Sequence, residues 1–188
     1  MSCRGSGAFP PASANVFVRR ATLEDGPAIG EVHAAAWRLG FGQILGAEFL
    51  ERASAGRLNG WRYAIENAIA PSNLVLVGGR DAHVLAFSQS GPPADGGTDL
   101  EIFAFYCHPA AWGTGLADAL MHETCALLST RSSRAVLWTP NEARRAQRFY
   151  ERYGFLRTGQ TRSEPLSDWQ PTPTYEEVAA VQYALSLG

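Results

Sequence analysis

Two segments of the sequence carry residues whose types and spacing could do chemistry. The first reads Glu101-Ile-Phe-Ala-Phe-Tyr-Cys-His-Pro-Ala-Ala-Trp-Gly-Thr-Gly-Leu-Ala117, an apolar run that meets two glycines and then a helical pattern. Glycine lets the backbone approach a ligand closely, and a helix N-terminus offers free N–H groups and a positive dipole end to a phosphate. The turn from Trp112 to Ala117, here called the glycine turn, is therefore predicted to cradle a diphosphate. A tight strand–helix turn without a ligand would show the same pattern.

A dinucleotide-binding turn is the main competing interpretation of these glycines. Its fingerprint is Gly-x-Gly-x-x-Gly, with an acidic residue about 20 positions later at the end of the next strand. Asp118 stands where the third glycine would be, and the strand 135–138 ends without an acid. The sequence therefore disfavours a dinucleotide site.

The second segment reads Trp138-Thr-Pro-Asn-Glu-Ala-Arg-Arg-Ala-Gln-Arg-Phe-Tyr-Glu-Arg-Tyr-Gly-Phe155. Together the two segments closely resemble the GNAT superfamily of acyl-CoA-dependent N-acetyltransferases. The family's diphosphate motif is Gln/Arg-x-x-Gly-x-Gly/Ala after a buried strand, and the glycine turn matches it at Gly115 and Ala117. The later motif is an Asn, then a helix with Ala-x-x-Phe-Tyr-Glu and Gly-Phe, which residues 141, 146–151 and 154–155 match. The resemblance covers about residues 16–185.

Two positions depart from the family's pattern. Trp112 stands where the family has Gln or Arg, and an indole does not pair with a phosphate as a cation would. Because the backbone donors of the turn remain, we expect binding to survive. The family's Asn often lies six residues before the Phe, where this chain has Ala143, whereas Asn141 lies eight before Phe149. The resemblance implies that Asn141 contacts the pantetheine arm from this displaced position.

The resemblance also implies two catalytic residues. When an amine attacks a thioester, the amine must lose a proton, the carbonyl oxygen needs an N–H donor and the leaving thiolate needs an acid. Glu101 matches the family's glutamate base, the alternative being a solvated acid at a strand end. Tyr150 matches the tyrosine that protonates the thiolate, the alternative being one more aromatic on an apolar helix stripe.

The cofactor set follows from the same resemblance, in which a splayed strand presents backbone N–H groups to the acyl carbonyl and pantetheine. The predicted cosubstrate is acetyl-CoA, with no metal. The predicted cofactor-binding residues are Phe105, Tyr106, Cys107, Trp112, Gly113, Thr114, Gly115, Leu116, Ala117, Asn141 and Phe149.

The function predicted on this basis is transfer of the acetyl group of acetyl-CoA to a primary amine by direct attack in a ternary complex. A Cys107 nucleophile is not expected, because a cysteine in an apolar strand is more often an inert small hydrophobe. The alternatives are a non-catalytic CoA-binding or regulatory module of the same fold, and a scaffold that binds no CoA. The acceptor would be a small-molecule or peptide amine, and a homodimer is possible in this family. A cationic acceptor is favoured by four acids near the end of the chain: Glu164, Asp168, Glu176 and Glu177.

Composition narrows the function classes further. The formal net charge of −2 argues against a nucleic-acid partner and against a polybasic membrane anchor. No apolar run approaches the ~18 residues of a membrane span. Residues 1–15 lack the apolar core of a signal peptide, and the three cysteines are odd in number and far apart, so a cytoplasmic protein with free thiols is expected. All 16 basic residues are Arg, which excludes a catalytic lysine and the Gly-Lys phosphate loop.

The elements that must position these residues follow from hydrophobic periodicity and turn residues. Residues 1–14 are predicted to form a disordered leader, and residues 15–188 a single domain. The order β-α-α-β-β-β-α-β-α-β-β predicts an α/β fold with a mixed central sheet flanked by helices, and the resemblance to the GNAT superfamily implies that this sheet is mostly antiparallel. Three local expectations can be checked: a helix over 48–70 broken around Gly56–Gly60, a turn at Gly78–Asp81, and a strand over 100–108 buried on both faces. The helix ending near Tyr153 carries Arg144, Arg145, Arg148 and Arg152 on a face predicted to be solvated, with the 3′-phosphate of CoA as the alternative contact.

Overall fold

The computed structural model describes residues 15–93 and 96–188, so the leader predicted for residues 1–14 lies outside the described residues. The strands and helices follow one another along the described chain in the predicted order. They are β1 (Val16–Arg20), α1 (Gly26–Gly40), α2 (Ala47–Ala68), β2 (Leu74–Arg80), β3 (His83–Gly91), β4 (Leu100–Cys107), α3 (Leu116–Ser129), β5 (Arg134–Pro140), α4 (Arg144–Tyr153), β6 (Leu156–Ser167) and β7 (Tyr175–Ser186). Short 3₁₀ turns precede α1 at Leu23–Asp25 and follow β4 at Pro109–Ala111.

The seven strands form one sheet in the order β1-β2-β3-β4-β5-β7-β6. Every neighbouring pair is antiparallel except β4 and β5, which run parallel. That parallel pair is short, since only Leu100–Ile102 of β4 pairs with Ala135–Leu137 of β5. The predicted α/β fold with a mixed, mostly antiparallel sheet is confirmed.

Helices cover both faces of the sheet, and strand β2 shows why. Successive side chains of a strand point to opposite faces, so a strand buried on both faces is apolar at every position. Leu74 and Leu76 pack in one cluster with α3 and Tyr150 of α4. Val75 and Val77 pack in the other with Ile29 of α1 and with residues of α2. The continuous apolar run of β2 is thus the centre of a three-layer arrangement.

Helix α2 is continuous across the two glycines that were expected to break it, so that prediction was wrong. A Cβ on Gly56 would collide with the backbone oxygen of Asp168, and one on Gly60 would lie 2.9 Å from the Trp169 ring. Each glycine costs the helix roughly 1 kcal/mol relative to alanine. They let the loop between β6 and β7 lie directly on the helix, a long-range contact that local propensity does not reveal.

The turn between β2 and β3 is centred on Asp81 and Ala82, later in the chain than the turn predicted at Gly78–Asp81. Asp81 and Ala82 both have positive φ, 48° and 71°, as a two-residue hairpin of the primed type requires. Gly78 and Gly79 lie within β2 at a bulge in its pairing with β3. A Cβ on Gly79 would collide with the carbonyl oxygen of His83, so this glycine also serves a close backbone approach.

Strand β4 is buried only in its first half. Leu100 and Ile102 are buried, but Phe103 is exposed and the residues after it are half-buried, because β5 no longer runs beside them. The expectation of burial on both faces along the whole strand was wrong, and the difference exposes the site described next.

Within the described ranges, the helices include none that is both long and apolar enough to cross a membrane.

Candidate active site

A cavity lies where β4 and β5 separate. After Ile102 and Leu137 the two strands are no longer paired, and a cavity of about 830 Å³ occupies the gap. We call it the interstrand cavity. Its walls are residues 102–107 of β4, 138–140 of β5, parts of the glycine turn, α4 and the end of α1. Loss of the strand partner leaves backbone hydrogen-bonding groups of β4 directed into this space.

The backbone hydrogen bonds of β4 show which N–H groups face the cavity. His108 N donates to Leu85 O on β3 at 2.7 Å. Because N–H direction alternates along a strand, the N–H of Tyr106 also faces β3, while those of Phe105 and Cys107 face the gap left by β5. Phe105 and Cys107 thus remain candidate donors to a ligand, and Tyr106 lines the cavity without offering its N–H.

A β-bulge at Phe103 sets the direction of the side chains. Gln89 pairs with Ala104 and Ser90 with Ile102, so Phe103 is an extra residue on β4. Ile102 packs toward α3, whereas Ala104 packs toward α1 and α2. The bulge changes which alternate positions face each layer, and it places Glu101 on the same face of the sheet as Tyr106.

The glycine turn is an open left-handed turn at the N-terminus of α3. Gly113 and Gly115 have φ of 74° and 83°, and the positions of an added Cβ on either face open space. Gly115 caps α3, whose first four N–H groups have no partner within the helix. Gly113, Gly115 and Ala117 line the interstrand cavity. The other two predicted residues hold the turn from behind: Leu116 is buried in the core, and Thr114 Oγ1 donates to Ala111 O at 2.7 Å.

Trp112 is fixed at the entrance to this turn. Its Nε1–H donates to Cys107 O at 3.0 Å, and the guanidinium carbon of Arg145 lies 3.7 Å from the centroid of its ring. Both side chains line the interstrand cavity. The helix periodicity placed Arg145 on a solvated face, and the sequence carries no indication that it would stack on a residue 33 positions earlier.

Tyr150 reaches the interstrand cavity from α4. It is 8% exposed, and its ring lies against those of Phe105, Phe149 and Phe155. Burial raises the pKa of Tyr150 well above its ordinary value, and the nearby Tyr106 adds to the effect. The phenol therefore keeps its proton at neutral pH.

Cys107 also lines the interstrand cavity, but its thiol is not activated. Burial raises the pKa of Cys107 to about 11, although the positive charge of Arg145 acts in the opposite direction. The thiolate is the nucleophilic form of cysteine, and it is scarce at neutral pH for such a thiol.

Glu101 and Asn141 are not among the residues that line the interstrand cavity. An oxygen of the Glu101 carboxylate lies 3.8 Å from Nη2 of Arg162, and the side chain of Glu101 is 13% exposed. Asn141 Oδ1 accepts a hydrogen bond from Arg157 at 2.9 Å. Ala143, at the position where the family has its Asn, does line the cavity.

Aromatic and apolar residues between α1 and α2, including Phe41 and Ile44, form another part of the wall of the interstrand cavity. Tyr106 Oη accepts a hydrogen bond from Trp37 Nε1 at 3.1 Å. Behind Trp37, the guanidinium of buried Arg57 stacks on the indole at 3.1 Å. Burial lowers the pKa of Arg57 to about 10, against the opposing effects of Tyr106 and Asp168.

The four acids that favoured a cationic acceptor are all engaged within the fold. Asp168 is 1% exposed and accepts hydrogen bonds from the backbone and hydroxyl of Thr174, so it holds the β6–β7 loop. Glu176 accepts from Gly46 N, and Glu177 accepts from a serine of β6. Glu164 is paired with Arg162. The argument for a cationic acceptor from the number of acids is weakened accordingly. The described residues include no cluster of three or more His, Cys, Asp or Glu suited to a metal ion.

Comparison with known proteins identifies the family to which the chain belongs. The sequence model of the "Acetyltransferase (GNAT) family" matches residues 57–155. No curated protein matches the sequence. Among solved structures, the chain resembles PaiA N-acetyltransferase from Thermoplasma acidophilum in complex with coenzyme A, with a TM-score of 0.68 and 15% identity over 92% of this chain and 99% of that one.

Two further solved structures have the same fold at similarly low identity. The ribosomal-protein-S18-alanine N-acetyltransferase from Escherichia coli aligns with a TM-score of 0.64 and 16% identity over 93% of this chain and 95% of that one. YncA from Salmonella typhimurium, solved with its cofactor acetyl-CoA, aligns with a TM-score of 0.61 and 19% identity over 92% and 94% of the two chains.

Proposed function

The chain belongs to the acetyltransferase (GNAT) family, and we propose that it transfers the acetyl group of acetyl-CoA to a primary amine by direct attack in a ternary complex. The observation that carries this proposal is the interstrand cavity itself. It joins the glycine turn at one end to Tyr150 along one wall, in the gap where β4 has lost its partner β5.

The cosubstrate would lie along this gap. The N–H groups at the start of α3 would bind its diphosphate, and the left-handed glycines let that backbone face the ligand without a side chain in between. The N–H groups of Phe105 and Cys107 would accept the pantetheine arm and the acyl carbonyl in place of a strand partner. Phe149, stacked on Phe105 with ring centroids 5.4 Å apart, would form the apolar wall of the arm's path.

Tyr150 would donate a proton to the thiolate that leaves when the amine nitrogen bonds to the carbonyl carbon. Its buried ring is held by aromatic neighbours, so the hydroxyl has a fixed position on the cavity wall. The raised pKa keeps the proton available across the pH range in which the enzyme would work. The neutral phenol can donate a hydrogen bond to the sulfur as negative charge develops there, and the proton passes to the sulfur as the carbon–sulfur bond breaks.

Glu101 would accept the proton of the acceptor ammonium, and its position calls for a relay. Glu101 lies on the face of the sheet that α1 and α2 cover. Beside it, Arg162 stacks at 4.2 Å over Trp138, which lines the cavity. A water between the amine and the carboxylate is the simplest path for the proton. Cys107 takes no part in this scheme, in keeping with its raised pKa.

A non-catalytic CoA-binding module is the second candidate. It is favoured by the engagement of Asn141 with Arg157 and by the position of Glu101 outside the cavity lining. Such a module would bind CoA through the same glycine turn but would not turn over.

Two measurements separate the candidates. The first is the change in Tm on adding CoA, which both candidates require. The second is thiol release from acetyl-CoA in the presence of a panel of small amines and peptides with free N-termini. Amine-dependent thiol release that falls sharply in Tyr150→Phe supports the enzyme. CoA binding without turnover on any amine supports the module, and absence of CoA binding rejects both.

A further inference from the structure

We propose that Arg145, held in place by Trp112, is the cation that binds the diphosphate of acetyl-CoA. The proposal rests on the proposed function, because it assigns a residue to the same cosubstrate. It concerns a role that the motif resemblance gives to the side chain at position 112, and that the tryptophan at this position does not supply.

A hydrogen bond holds Trp112 in a fixed orientation. Its indole N–H donates to Cys107 O, at the end of β4, at 3.0 Å. This bond spans the start of the glycine turn and orients the ring. An aromatic face so fixed is a platform on which a cation can rest.

Arg145 is the cation that lies over the ring of Trp112. The guanidinium carbon of Arg145 is 3.7 Å from the ring centroid, well within the range of a cation–π interaction. Arg145 also acts on Cys107 electrostatically, since its charge opposes the upward shift of the pKa of that thiol. The charge of Arg145 is thus located at the junction of β4 and the glycine turn.

The positive charge of Arg145 is available to a ligand. Arg152, one of the other arginines of α4, is paired with Asp118 at 3.0 Å, and Arg144 donates to Gln147. Within the described ranges, no carboxylate lies within ion-pair distance of Arg145. A guanidinium stacked by one face keeps its N–H edge free, and that edge can donate two parallel hydrogen bonds to a phosphate.

Arg145 and the glycine turn face the same cavity. Arg145, Trp112, Gly113 and Gly115 all line the interstrand cavity, and the Cβ directions of both glycines are open. An anion at the N-terminus of α3 would therefore meet backbone N–H groups on one side and the Arg145 guanidinium on the other. The cation comes from α4 instead of from the turn, and Trp112 is its positioning residue.

The test is the affinity for CoA and dephospho-CoA by calorimetry, with acetyl-pantetheine as an acetyl donor that lacks the diphosphate. Arg145→Ala should weaken both diphosphate ligands roughly 10- to 100-fold, as loss of a charge-assisted contact does. It should leave kcat/KM for acetyl-pantetheine unchanged. Arg131→Ala, which removes a surface arginine bonded to Ser72 O, is the control and should leave both affinities unchanged.

The role of Trp112 is tested by coupling and by rescue. Trp112→Ala should weaken CoA binding, and the double variant Trp112→Ala/Arg145→Ala should be little weaker than Arg145→Ala alone, because the tryptophan acts through the arginine. Placing the family's cation at 112, in Trp112→Arg/Arg145→Ala, should restore much of the lost affinity. Rescue also shows that the variants fold.

The overturning results are distinct from those that reject the proposed function. Wild-type affinity of Arg145→Ala for dephospho-CoA overturns the assignment while the acetyltransferase proposal stands. An equal loss with acetyl-pantetheine also overturns it, since that loss would mean a general structural role. If the wild-type chain binds no CoA, both proposals fail together.

Discussion

Nη2 of Arg162 lies 3.8 Å from an oxygen of Glu101, and the same guanidinium is 2.5 Å from Glu164 and stacks over Trp138. Of these residues, Trp138 lines the interstrand cavity. The candidate base therefore contacts a cation that stacks on an indole of the cavity wall. This arrangement favours proton transfer through water over direct transfer from the acceptor amine to Glu101.

Glu101→Gln should lower kcat/KM mainly at low pH. There the acceptor amine is mostly protonated and a base is needed, whereas at high pH the free amine is abundant. We expect a defect of roughly 10²-fold at the acidic end, shrinking as pH rises. The measurement is the pH profile of thiol release from acetyl-CoA.

The matched control for Glu101 is Glu142→Gln, which removes a carboxylate that does line the cavity. It should leave the shape of the pH profile unchanged. A defect in Glu101→Gln of the same size at every pH would contradict the assignment as a base and favour a structural role beside Arg162.

Cys107→Ala should turn over at close to the wild-type rate, because no step passes through the thiol. With a pKa of about 11, only about one thiol in ten thousand is ionised at pH 7, so alkylation of Cys107 by iodoacetamide should be slow. Kinetics and intact-mass measurements check both expectations. An acetylated Cys107 trapped during turnover would exclude direct transfer.

Gly56→Ala should destabilise the fold, since the new methyl group would collide with the carbonyl oxygen of Asp168. We expect a loss of about 1–3 kcal/mol in the free energy of unfolding, as for other overpacked sites. Gly40→Ala at the end of α1 is the control, because its Cβ would meet nothing within 4 Å. Urea denaturation measures both, and an unchanged midpoint for Gly56→Ala would contradict the packing of the loop on α2.

The same glycines show what the sequence could and could not predict. Local features were readable: the order of strands and helices, the glycine turn before α3 and the end of α4 near Tyr153, which the αL glycine Gly154 follows. Gly56 and Gly60 were misread as helix breakers, because their purpose is a contact with Asp168 and Trp169, more than 100 positions away in the sequence. Arg145 was misread for the same reason, since its partner Trp112 lies on another element. Spacing along one helix predicts which residues share a face, but it does not predict what that face meets.

Stability at acid pH should depend on the pair of Arg19 and Asp25. Arg19 donates to both oxygens of Asp25, at 2.6 and 2.8 Å, and this pairing holds the pKa of the carboxyl below its usual value. A group with a depressed pKa in the folded state stabilises the fold above its unfolded pKa, and that stabilisation is lost as pH falls through the folded pKa.

Asp25→Asn should accordingly cost about 1.5 kcal/mol at neutral pH, the lower end for a charged hydrogen bond because Arg19 is half-exposed. The difference from wild type should shrink toward pH 3. Denaturation at the two pH values provides the measurement, and a difference that does not vary with pH would contradict the ion pair as its source.

Tyr150→Phe should lower kcat by roughly 10²–10³, as loss of a positioned proton donor does. The substitution removes only the hydroxyl, and the packing of the ring against Phe105 and Phe155 is retained, so Tm should change little. Because burial raises the pKa of Tyr150, the wild-type phenol stays protonated, and the ratio of the two rates should be constant from pH 6 to pH 9. Tyr153→Phe is the control on the same helix, since Tyr153 does not line the interstrand cavity. Stopped-flow thiol release and CoA calorimetry separate the outcomes: unchanged kcat would remove Tyr150 as the acid, while loss of CoA affinity would assign it to binding instead.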